Sequence, residues 1–157
     1  MTNESVQNYT RRITDANPTE IIAVVFEIAE VYLDDSIMAY KNDDMQAFDL
    51  GIEKAIKCIN DLIEALDLQY EIANQLMNIY MFLSKELSLS LVRRDVVSVE
   101  RIQAMITKLK KSFEELAKQD TSGAMMGNAQ SVYAGLTYGK GTLNESTNIQ
   151  SNRGFTV

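Results

Sequence analysis

The sequence of 157 residues contains no histidine and no tryptophan, a single cysteine (Cys58) and a single proline (Pro18). Without histidine, the Glu-x-x-His di-iron sites of helical bundles cannot form, nor can Ser-His-Asp or Cys-His nucleophilic centres. One cysteine excludes an internal disulfide and a zinc ribbon, and fits a reducing compartment. Only one of the seven glycines, Gly51, precedes residue 119, and neither a Gly-x-Gly-x-x-Gly fingerprint nor a phosphate-binding loop is present. The longest apolar run, Ile21 to Phe26, is six residues, far short of a membrane span. The polar start, Thr2 to Asn8, lacks the basic-then-apolar pattern of a signal peptide. A net charge of −7 argues against nucleic acid and anionic membranes as partners. These features predict a cytoplasmic, cofactor-free chain.

What the chain does have is apolar helical periodicity. Eleven of the thirteen residues from Ile21 to Leu33 are apolar, and the exceptions, Glu27 and Glu30, share one narrow edge of a helix. A surface helix needs only one apolar stripe, so more than one neighbour must cover this one. Asn17-Pro18-Thr19-Glu20 is a helix start, with Asn17 as cap and Pro18 in the first turn. The first predicted helix runs to about Tyr40. A second, capped by Asp43 or Asp44, carries Phe48, Ile52, Ala55, Ile59, Leu62 and Leu66 at helical spacing and ends at Asp67-Leu68-Gln69. A third covers about 70–93, with Ile72, Leu76, Ile79, Tyr80, Leu83 and Leu87 as its stripe and Met77, Met81 and Phe82 outside or at its edge. Asp95 caps a fourth, striped by Val99, Ile102, Ile106, Leu109, Phe113 and Leu116.

Four helices of this length joined by short connections predict an all-α fold, an antiparallel up-down four-helix bundle. The predicted organisation is a flexible leader over 1–16, a bundle domain over 17–118 and a Gly/Ser-rich tail over 119–157. The tail is neutral, so residues 1–118 carry the whole negative charge. Its composition reads as a linker or as disorder, although Tyr133, Leu136, Tyr138, Leu143, Phe155 and Val157 are more apolar than a linker needs, and the Tyr133–Tyr138 patch could fold back on the body.

Little chemistry is available. Asp34-Asp35, Asp43-Asp44 and Glu114-Glu115 are neighbours in sequence, point about 100° apart on a helix and read as solvated faces or caps. Cys58 reads as a small core filler. Binding through apolar surface remains. The surplus on the first and third helices is either buried core or a self-association interface, or else a groove for a partner segment, to which Met77 and Met81 are suited.

Three segments in order resemble the flagellar secretion chaperones of the FliS type: Tyr9 in a polar leader followed by Asn17-Pro18-Thr19-Glu20-Ile21-Ile22; Lys54 to Leu62 through Leu66-Asp67; and Ile72 to Phe82. The resemblance spans about 8–116. The chain departs from the family pattern at Phe26 (usually Tyr), Ile28 (often Gly), Gln75 (commonly Asn) and Phe113 (often Trp), and its tail is longer than the family core. The resemblance implies a cytoplasmic chaperone without catalysis. It would bind the disordered C-terminal segment of flagellin, prevent premature polymerisation and keep the subunit fit for export, with room for a contact to the flagellar export apparatus. It also matches the family's N-terminal Tyr to Tyr9, which with Ile13 would form a movable cover. The groove wall is then drawn from Ile52, Ile56, Met77, Tyr80 and Met81, mainly on the second and third predicted helices; Tyr80 also reads as a core tyrosine with a bonded hydroxyl. In the first helix, Ile21, Val25 and Ile28 are assigned to the core and Glu27 and Glu30 to a solvent edge. Ile22, Phe26 and Leu33 are assigned to the underside of the leader, the tail or another helix. The alternative is a non-catalytic helical module that self-associates or holds a different protein.

Overall fold

A computed structural model describes residues 1–124, and among these the chain is all-helical. Five helices follow in order: α1 (Asn3–Asp15), α2 (Pro18–Lys41), α3 (Met45–Glu64), α4 (Glu71–Arg93) and α5 (Val96–Ala117). The tail from residue 125, including the Tyr133–Tyr138 patch, lies outside the described residues.

The predicted starts are where the capping chemistry puts them. The Asn17 side chain accepts from the Glu20 backbone N–H at 2.8 Å, Asp44 from Ala47 at 3.0 Å and Asp95 from Ser98 at 3.2 Å. Each bond satisfies one of the donors a helix N-terminus leaves free. Arg94, in the left-handed region at φ 51°, ends α4 and reaches back to Asp49 at 3.1 Å.

The leader differs from expectation. Residues 3–15 form a helix capped by Thr2, which accepts from the Ser5 N–H at 3.3 Å. Val6, Tyr9 and Ile13 are three and four residues apart and so share one face, and Tyr9, Ile13 and Ala16 are buried. Polar composition hides this helix because only that narrow face is apolar.

α2 is the hub, packing most extensively against α3 and α5 and also against α1, while α4 packs against α3 and α5. Contacts pair rising residue numbers in one helix with falling numbers in the next. Along α2 and α5, Thr19 meets Asp120, Glu30 meets Thr107 and Lys110, and Asp34 meets Gln103. Along α2 and α3, Ser36 meets Phe48 and Tyr32 meets Lys54. Along α3 and α4, Asp49 meets Arg94 and Asn60 meets Ser84.

Phe26 of α2 sits at the aromatic centre of the core. Its ring centroid lies 5.9 Å from that of Tyr80 on α4, edge-on, and 5.8 Å from that of Phe113 on α5, stacked. Phe26 thus lies beneath other helices, the last of the three covers expected for it, and both Phe26 and Leu33 are wholly buried. The expected solvent edge at Glu27 and Glu30 is not one: Glu27 is bonded to α1 and Glu30 to α5.

The approach of α2 to α3 depends on Gly51. A Cβ there would stand 2.7 Å from Ser36 Cβ and 2.7 Å from the Tyr32 carbonyl oxygen. The buried Ser36 hydroxyl donates to the Phe48 carbonyl across the same contact, at 2.8 Å. The obstacle includes backbone, so Gly51→Ala must push the helices apart. It is expected to lower stability by about 2 kcal/mol, read from the midpoint of chemical denaturation; an unchanged midpoint would disprove the close packing.

Candidate partner-binding site

α1 is seated on α2 by a mixed contact. The Tyr9 hydroxyl donates to Glu27 at 3.3 Å, and Arg12 donates to both oxygens of the same carboxylate at 2.9 and 2.7 Å. The Arg12 guanidinium also lies 5.6 Å from the centre of the Tyr9 ring. Val24 and Val31 flank Glu27 by one helical turn on either side, so the face that α1 covers is itself apolar. Burying a residue such as Ile13 contributes roughly 1.5–3 kcal/mol. The Arg12 side chain is 41% exposed, and an ion pair so placed contributes at most about 1 kcal/mol. Apolar burial therefore sets the strength of seating, and the bidentate pair sets its register.

Burial raises the Glu27 pKa, but the Arg12 bond and charge with the Tyr9 bond outweigh it and hold the carboxyl below its ordinary value of 4.5. Tyr9 is pushed up, by burial first and by Glu27 second.

The seven expected site residues fall in three places. Tyr9 and Ile13 are the buried face of α1, lying over α2. Ile52 and Tyr80 are in the core, 0% and 1% exposed, and offer a groove no surface. Ile52 sits among the α3 residues that face the rest of the core, and Tyr80 is drawn inward by the Phe26 ring. Of the remaining three, Met81 lines a surface groove between α3 and α4, and Ile56 and Met77 stand one helical turn from residues that line it. A pocket of about 350 Å³ there is lined by Asn60, Ile63, Met81, Ser84, Lys85 and Ser88. Ile56 lies one turn before Asn60, and Met77 one turn before Met81, so each shares a helix face with a lining residue. Ile56 and Met77 are half-buried, while Met81 is 57% exposed. Ser84, which donates to Asn60 at 3.0 Å, and Ser88 add small side chains to the lining.

Sequence reading missed Ile63, Ser84 and Ser88. Their signal is spacing: Ile56, Asn60 and Ile63 on α3, and Met77, Met81, Ser84 and Ser88 on α4, each recur at three or four residues. A larger cleft of about 460 Å³ near the end of α5 is lined by Arg12, Glu20, Glu114, Glu115 and Lys118 among others. Charges of both signs make it a poor seat for an apolar segment.

The Tyr80 hydroxyl has no hydrogen-bond partner among the described residues, and burial pushes its pKa up. The expectation of a bonded core hydroxyl is therefore met as to burial and not as to bonding.

The family model described as "Flagellar protein FliS" matches residues 1–120. No curated protein matches the chain.

Two outcomes are expected. Glu27 has a lowered folded-state pKa, so its contribution to seating α1 is fully present above about pH 4.5 and is lost as pH falls through the lowered value. Hydrogen exchange of α1 amides followed from pH 6 to 3 should show seating weaken by under about 1 kcal/mol, and Glu27→Gln should remove that part of the pH response; an identical profile in the variant would refute the assignment. Tyr80→Phe deletes an unpaired buried hydroxyl and should leave thermal stability equal or higher by up to about 1 kcal/mol, whereas a clear loss would reveal a partner for that oxygen.

Proposed function

The chain belongs to the FliS family of flagellar proteins, and on that premise we propose that it is a cytoplasmic export chaperone for flagellin. In this reading it binds the disordered C-terminal segment of the client, blocks premature polymerisation and keeps the subunit competent for export, with a contact to the export apparatus during handover. It does so by binding alone, without catalysis. α2 to α5 form the antiparallel up-down four-helix bundle that presents the client groove.

The match over residues 1–120 carries the reading, and the α3–α4 groove supports it. An amphipathic or extended segment binds by laying apolar anchors into such a groove, and Ile56, Ile63, Met77 and Met81 offer them a seat. Methionine side chains adapt to irregular partners. Folding on binding costs the client part of the gross interaction energy, so a broad contact can still be released. Tyr9 and Ile13 act as the cover in this reading, held over α2 until the client wraps the bundle. Among the described residues no helix is long and apolar enough to cross a membrane.

The exposed apolar residues of α4 favour one alternative, a non-catalytic module that self-associates. Co-purification with the C-terminal segment of the host's own flagellin, with the mass of the product measured in solution, separates the two. A one-to-one complex is expected, and Met81→Glu should weaken it at least tenfold, about 1.4 kcal/mol, by placing a charge in the groove. A stable dimer that ignores flagellin would overturn the chaperone reading.

A further inference from the structure

α4 buries one side and leaves another bare. Ile72, Ile79 and Phe82 are 63%, 37% and 46% exposed. Seven and then three residues separate them, so they form one strip along the first half of the helix. The strip is distinct from the α3–α4 groove: Ile79 and Met81 are two residues apart, on nearly opposite sides of α4. Leu68 and Tyr70, also exposed, stand in the turn where α4 begins. A contiguous apolar surface of this kind marks an interaction site.

The path of the chain brings one segment within reach of it. Beyond α5, Asp120 is fixed at the start of α2, where the Thr19 hydroxyl donates to its carboxylate at 2.7 Å and the Asn17 amide donates to the Ala117 carbonyl at 3.2 Å. Because α3 runs back along α2 and α4 back along α3, the beginning of α4 lies at that same end. A further 33 residues follow Ala124. Tyr133 is nine residues on, a reach of up to about 30 Å, whereas the strip from Ile72 to Phe82 is about 15 Å long. Residues 125–139 contain no charge and no proline, and include Tyr133, Leu136 and Tyr138. Residues 125–157 carry Lys140 and Arg153 against Glu145, net +1, while residues 1–124 carry the other 13 basic and 21 acidic side chains, net −8. The segment around Tyr133–Tyr138 is uncharged, so its return to the acidic body meets no charge repulsion.

We propose that residues 133–138 of this same chain dock on the strip formed by Ile72, Ile79 and Phe82. Tethering makes the contact intramolecular, at an effective concentration in the millimolar range. A contact too weak to hold a second copy at micromolar concentration is then strong enough to cover the strip. The tail becomes a built-in cover for the bare side of α4, separate from the cover that α1 provides on α2.

The test uses the full chain without any partner, so its result is independent of the chaperone reading. Ring currents from Tyr133 and Tyr138 should displace the Ile72 and Ile79 δ1-methyl resonances in a methyl-labelled sample. In a Tyr133→Ser/Tyr138→Ser variant these two signals should move to new positions, while the methyls of Val97, exposed at the opposite end of the molecule, stay fixed. Both patterns should be the same across a tenfold range of protein concentration. Unmoved Ile72 and Ile79 signals would overturn the proposal. A concentration-dependent displacement would also overturn it, by assigning the strip to a second copy of the chain.

Discussion

The structure depends on enclosing α2. A helix apolar on nearly every side cannot rest on a single neighbour, because each uncovered face would leave side chains such as Val24, Phe26 or Leu33 in water at a cost of roughly 1.5–3 kcal/mol each. α3 and α5 take two flanks, Tyr80 and Phe113 close on Phe26 between them, and α1 covers the face that the other helices leave. α1 is therefore required by the composition of α2. Gly51 and Ser36 serve the same end: they bring α3 close enough to α2 that no flank is left open.

Polar contacts on this hub act as locators. Glu27 and Glu30 are three residues apart, yet they anchor different neighbours. Glu27 accepts Arg12 and Tyr9 from α1, and Glu30 accepts Thr107 and Lys110 from α5. Each carboxylate sits at the rim of a contact whose strength comes from apolar burial nearby. Exchanging the more exposed Arg12–Glu27 pair for a neutral bond would cost little energy but would leave the rotation and register of α1 less defined. This division explains how an acidic chain tolerates carboxylates inside an apolar run.

Much of this was legible in the sequence. Asn17, Asp95 and the pair Asp43-Asp44, of which Asp44 is the cap, marked three helix starts because capping is local chemistry, and the four long helices followed from apolar spacing. α1 escaped notice because its apolar face is only Val6, Tyr9 and Ile13, and its stability comes from a surface supplied by α2. The site was less legible than the fold. Met81 lines the α3–α4 groove and Ile56 and Met77 lie one turn from its lining, whereas Ile52 and Tyr80 belong to the core. Tyr80 follows Ile79 by one residue, a rotation of about 100°. Which of the two faces inward depends on where α3 and α5 stand, and spacing within α4 does not contain that information. For the same reason Ile72 and Ile79, expected within the core stripe, lie outside it.

The five helices are not equal in what holds them. α2 to α5 each have at least two helical neighbours, so no one of them can leave without opening the core. α1 is a 13-residue helix that packs on α2. An isolated helix of this length is marginal in water, so α1 keeps its shape only while Tyr9, Ile13 and Ala16 are seated. Loss of seating and loss of helix are then a single event, and its cost is a fraction of the global stability, as expected of elements at the low end of the local-opening scale. The face that event would bare, around Val24 and Val31, belongs to the most apolar of the described helices. An element can serve as a cover only if it is weaker than what it covers, and among the described helices α1 alone meets that condition.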